Sequence, residues 1–177
     1  MMVTKNVIKK QIENTLNILI DMQVNDSGRA GDLQWFTFYP ANPASPIIDS
    51  NVQLLEYALH VQCAWRIVGI EGIIVASRDR YYPAGVDPYK DLENFDWDKA
   101  GNNRRDERIN KFLNDRKDSP LVVLAIEADD LGSIHIRFKG GYALDIFPDD
   151  SLRGEFWRFF KRSSTDKHFV VTGDGIL

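Results

Sequence analysis

The stretch Leu121–Asp150, LVVLAIEADDLGSIHIRFKGGYALDIFPDD, holds three runs of β-prone residues with only turn residues between them, and it reads as a three-strand antiparallel meander. Its register follows from the pattern. Setting Phe138 opposite Tyr142 also sets Ile136 opposite Leu144 and Ile134 opposite Ile146, so every large aliphatic shares one face. The other face then carries His135 opposite Asp145, with Arg137 beside them. A two-residue Gly140-Gly141 turn would slip the pairing and put Ile136 against Asp145. A three-residue loop, Lys139-Gly140-Gly141, with a glycine in the left-handed region, keeps the faces consistent.

Upstream, Leu55, Tyr57, Leu59, Val61, Cys63, Trp65 and Ile67 alternate with Glu56, Ala58, His60, Gln62, Ala64 and Arg66. Unbroken period-two alternation predicts one long strand over 55–68 with a buried and a polar face, and the apolar run at 73–77 returns as its neighbour. Leu33 to Tyr39 (LQWFTFY) is a further strand, paired with the chain before it by a hairpin around Gly28–Asp32. Asn25-Asp26-Ser27-Gly28 reads as a turn, and PANPASP (40–46) as a surface loop.

Ile8, Ile12, Leu16 and Leu19 recur at helical spacing and predict a helix from Lys5 to about Leu19, with Thr4 as its cap. A polar helix is expected over 101–116, its Arg104–Arg108 run in water and Ile109, Phe112 and Leu113 inward. A third is expected over 152–161, where Leu152, Phe156, Phe159 and Phe160 suit one face. Lys167–Thr172 is a last short strand, and Gly173-Asp174-Gly175 a turn. Helix and strand order together predict a single α+β domain over 1–177, a mainly antiparallel sheet with N-terminal and C-terminal helices packed on it.

At 177 residues, 44% hydrophobic and 27% charged, the chain can bury a substantial core. Its net charge of −4, with Lys and Arg interspersed among acids, argues against nucleic acid as a partner and for a basic one. The N-terminal stretch carries charges at every turn of its first half, so neither a signal peptide nor a membrane segment is expected, and the chain reads as cytoplasmic. A single cysteine excludes an internal disulfide and a multi-cysteine zinc site; Cys63 falls on the apolar phase and is expected to be inert.

GxSxG, GxxxxGK[ST], HExxH and CxxC are all missing, so no catalytic residue, metal site or cofactor is expected. His60, His135 and His168 read as strand histidines. Asp129-Asp130 and Asp149-Asp150 sit where turns and caps want Asp. Two features point to binding. His60, Gln62 and Arg66 form a polar row along one strand, and Arg78, Arg80, Tyr81 and Tyr82 open a long Tyr-, Pro- and Asp-rich excursion that runs to Trp97. The alternative is a small-molecule-binding protein or hydrolase-type enzyme with a pocket around His60, Arg66, His135 and Asp145.

GRAGDLQWFTF (28–38), EYALHVQCAWRIV (56–68), ASRDRYYP (76–83), NRRDERI (103–109) and EADDLGSIHIRFKGGYALDIFPDD (127–150), with HFVVTGDGI (168–176), together resemble a group of small bacterial proteins, similar in size and style to the immunity proteins of polymorphic toxin systems. The resemblance carries over no catalytic residue. It implies bacterial origin, a cytoplasmic location and a lean toward binding; the missing catalytic motifs and the acidic, aromatic excursion then lead to the expectation of a non-enzymatic protein-binding module whose partner is a basic toxin domain.

Overall fold

The computed structural model describes residues 7–41, 56–85, 87, 89, 90 and 92–177. Among them, eleven antiparallel strands form one sheet: β1 (Met22–Ala30), β2 (Leu33–Pro40), β3 (Tyr57–Val61), β4 (Ala64–Gly69), β5 (Gly72–Ala76), β6 (Leu121–Ala128), β7 (Ile134–Phe138), β8 (Tyr142–Phe147), β9 (Glu155–Lys161), β10 (Phe169–Thr172) and β11 (Gly175–Ile176). Two α-helices, α1 (Val7–Leu16) and α2 (Arg104–Asn114), flank it. Their order across the sheet is β11-β10-β9-β3-β2-β1-β6-β7-β8-β4-β5.

The meander has the register that its aliphatics demand: Phe138 faces Tyr142, Ile136 faces Leu144, Ile134 faces Ile146 and His135 faces Asp145. Gly140 (φ 84) and Gly141 (φ 79) both lie in the left-handed region, closing the three-residue loop. Ile134, Ile136, Phe138, Leu144 and Ile146 are all buried.

The strand expected over 55–68 is two strands; Leu55 itself lies outside the described residues. β3 pairs with β2 and β9, and β4 with β8 and β5. Only Gln62 and Cys63 separate them, and the N–H groups of both donate to the Phe156 carbonyl, at 2.8 and 3.2 Å. Tyr57, Leu59, Val61, Cys63, Trp65 and Ile67 are nonetheless all buried, so the inward phase passes through the bend unbroken. Because the same chain segment belongs to both halves of the sheet, the order β3-β2-β1-β6-β7-β8-β4 returns on itself and encloses the core. Phe36 of β2 meets Trp65 of β4 edge-on across that interior, centroids 5.4 Å apart.

Three local expectations are corrected. Residues 25–28 are not a turn but part of β1, which carries a bulge between Val24 and Asp26. The 152–161 segment is not a helix: Glu155–Lys161 is β9, in mid-sheet between β3 and β10. There Trp157 and Phe159 are buried inward, while Phe160, expected in the core, is half-buried outward against His60. Burial on both faces masks the alternation that marks a strand. In α2, Arg105 and Asp106 are buried rather than solvated. The N-cap is Asn103, whose Oδ1 accepts from the Asp106 N–H at 2.8 Å.

α1 is followed by a 3-10 turn, Asn17–Leu19, and its Ile12 and Leu16 are buried with Leu19. Thr4 and most of the 40–46 loop lie outside the described residues. Among the described residues no helix is long and apolar enough to cross a membrane.

Candidate functional site

The β3–β4 bend and the 3-10 turn Ser77–Tyr81 enclose a polar cleft of about 260 Å³. Gln62, Arg78, Arg80 and Tyr81 meet there, joined by Asp32 from the β1–β2 turn and by Asp149. The turn forms because Asp79 Oδ2 accepts from the Ala76 N–H at 2.9 Å and Ser77 Oγ accepts from the Trp65 N–H at 3.3 Å. It therefore starts where β5 ends, and it projects Arg80 toward Asp32, with which Arg80 makes an ion pair.

The Arg80 guanidinium also lies over two rings, 4.6 Å from the Tyr81 centroid and 5.4 Å from that of Trp97. One arginine thus ties the start of the excursion to its end. Tyr82 points elsewhere and packs edge-on against Tyr89, centroids 5.9 Å apart. Tyr81 and Tyr89 remain 46% and 72% exposed, and Asp87, Glu93, Asp96 and Asp98 are exposed around them.

The far end of the excursion is held by Arg29, which the sequence reading passed over. Its Nε donates to Asp106 at 2.8 Å, its Nη1 to Asp98 at 2.9 Å and its Nη2 to the Asp98 carbonyl at 2.8 Å. Asn103 Nδ2 donates to the Trp97 carbonyl at 2.8 Å, and an antiparallel bridge joins Pro83 to Asn103. Arg105 lies beneath, fully buried, with Nη2 on the Gly31 carbonyl at 3.2 Å and no partner for Nε or Nη1 among the described residues. Burial pushes its pKa down to about 10 against the opposing pull of Asp106, with Arg29 and Arg80 adding repulsion. The signal in sequence was Arg29 and Gln34, polar residues facing each other on the inward phase of a hairpin.

Arg66, His135 and Asp145 form a second group, on the outer face of β4, β8 and β7. Asp145 receives Arg66 Nε at 2.8 Å on one oxygen and His135 Nδ1 on the other. Burial raises the Asp145 pKa, but these two hydrogen bonds outweigh it and hold the carboxyl below its usual range. Glu127, Asp129 and Ser133 share the adjoining shallow cleft of about 340 Å³. His60 does not line it. On β3 it packs between Trp35 and Phe160, with centroids 6.4 and 4.9 Å away, and burial, with Arg158 and His168 nearby, lowers its pKa. The row His60, Gln62, Arg66 is therefore broken by the bend: three residues, three surroundings.

Cys63 is buried, and burial pushes its thiol up to about 12, so it is no nucleophile. Among the described residues, no three His, Cys, Asp or Glu side chains are placed to share a metal ion. No protein family, curated protein or solved structure matches the chain.

Proposed function

We propose that the chain is a non-enzymatic protein-binding module of the immunity-protein kind, which neutralises a basic toxin domain by presenting the 78–97 excursion to it. The observation that carries this reading is the stacking of Arg80 over Tyr81 and Trp97. Tyr and Arg anchors already held in place lose little conformational entropy on docking, which is what an energetic centre of an interface needs. The exposed carboxylates of Asp87, Glu93, Asp96 and Asp98 around them suit a basic partner and favour fast, salt-sensitive association. Gln62 and Arg78 extend the surface into the cleft, while His60 and Arg66 fall outside it.

Identifying the reading frames adjacent to the gene and co-expressing the protein with a toxin-like neighbour tests the assignment: growth is rescued and a complex forms. Tyr81→Ala and Trp97→Ala each weaken that complex by roughly tenfold or more, or about 1.4 kcal/mol. An intact complex after both changes removes this surface, and no rescue with no complex removes the immunity reading.

A second reading, a hydrolase-type enzyme, draws on one observation: Asp145 holds His135 by Nδ1 and His135 lines the shallow cleft, as an oriented general base would. Hydrolysis of a panel of small esters, abolished by His135→Ala, would support it.

A further inference from the structure

One aspartate from each of the two pairs converges on a common groove. Asp130, from the β6–β7 turn, and Asp150, from the segment after β8, line one groove of about 360 Å³ together with Asp174 of the β10–β11 turn. Each pair is followed by an exposed leucine, Leu131 (79% exposed) and Leu152 (67% exposed), and both leucines also line the groove. Its apolar lining is completed by Ile8, Pro148, Phe156 and Val171.

The walls are set by close backbone approach. A Cβ on Gly173 would lie 1.9 Å from the Leu152 carbonyl oxygen, and one on Gly132 would lie 2.8 Å from Val171 Cγ1. Trp157 Nε1 donates to the Gly132 carbonyl at 2.7 Å and fixes the turn from below. Asp130 uses one oxygen on the Lys9 N–H at 3.2 Å and Asp150 one on the Leu152 N–H at 2.7 Å, so each keeps a second oxygen without a hydrogen bond among the described residues. Among the described residues Asp174 has one cationic partner, Arg153, at 3.5 Å and largely in water.

We propose that this groove docks a basic, leucine-bearing segment of the protein partner, whose aliphatic side chain lies between Leu131 and Leu152 while its cations meet Asp130, Asp150 and Asp174. Paired exposed leucines beside an apolar floor give the anchor, and three carboxylates around it select the sign of the occupant. The site shares no residue with the 78–97 excursion. It rests on the reading above only for the partner's basic character.

Titrating a fluorescent amphipathic leucine–lysine peptide into the intact chain tests the groove. The peptide binds, and binding weakens at least tenfold in Leu131→Ser/Leu152→Ser and again in Asp130→Asn/Asp150→Asn, the latter with a flatter salt dependence. The leucines are exposed, so the serine pair keeps the fold, checked by an unchanged melting temperature. Tyr81→Ala/Tyr89→Ala leaves the peptide affinity unchanged, so failure here and failure of the excursion are told apart. Absence of binding, binding by both double variants as tight as by the unaltered chain, or weakening by only one of them overturns the proposal: loss with asparagine alone marks non-specific charge, and loss with serine alone marks an occupant that is not basic.

Discussion

Gly28 has no room for a side chain: a Cβ there would lie 2.3 Å from Trp35 Cζ2. Directly across the ladder from it, Trp35 in turn faces His60. Gly28→Ala must push the indole away, and a loss of about 1–3 kcal/mol is expected, with a shift in tryptophan emission, read by urea titration followed by fluorescence. Asp145 makes a pH prediction. Its folded pKa lies below the unfolded value, so its contribution is present above the unfolded pKa and is lost as pH falls through the folded one. His60 acts in the same direction, because a histidine kept neutral by burial favours the unfolded, protonated chain as pH drops below its ordinary value. Urea midpoints should therefore fall on acidification, first between pH 7 and 5 and then below pH 4 (the ordinary His and Asp ranges, roughly). Asp145→Asn should flatten the lower limb and cost about 1 kcal/mol at neutral pH.

At the scale of elements, β5 ends the sheet order and is an edge, yet it is not a bare one. Arg108 of α2 donates through Nη1 to the Ile74 carbonyl at 2.6 Å, and Asp79 accepts from the Ala76 N–H at 2.9 Å. Edge groups occupied by side chains cannot template a second chain. Arg108→Ala, with Ile73 exposed beside it, should raise self-association in sedimentation while costing about 1 kcal/mol of stability. A variant that stays monomeric would show that α2 blocks the edge by bulk alone. The β9 segment shows why a helix was read there: Leu152, Phe156, Phe159 and Phe160 fit helical spacing, yet Leu152 lies before β9 and is exposed, and the phenylalanines of β9 are buried or half-buried on both faces of the sheet. Periodicity separates helix from strand when one face is wet.

For the whole molecule, the excursion is joined to the sheet through buried charge. Arg29 and Asp106 pair at 2.8 Å, and Arg29 and Arg80 lie close enough to repel Arg105. Removing the shared carboxylate strands two buried guanidinium groups, so Asp106→Ala should cost about 3–5 kcal/mol in chemical denaturation. Asp98→Ala, whose side chain is 61% exposed, should cost under about 1 kcal/mol. Equal losses in the two would mean that the excursion is held by its backbone bridge at Pro83 and Asn103 instead.

What the residues determined by themselves was everything set by neighbours in sequence. The meander register, the left-handed loop at Gly140-Gly141, the β2 strand and the buried phase of Tyr57 to Ile67 all follow from alternation and turn chemistry, which act over a few residues. The tertiary structure alone decided that this phase crosses from one half of the sheet to the other at Gln62–Cys63, since a bend that keeps odd residues inward leaves no trace in the pattern. It alone decided the sites as well. Gln62, Arg78, Arg80 and Tyr81 came together with Asp32, and His60 parted from Arg66, because hydrogen bonds and ion pairs between residues far apart in the chain depend on which strands the closing of the sheet makes adjacent.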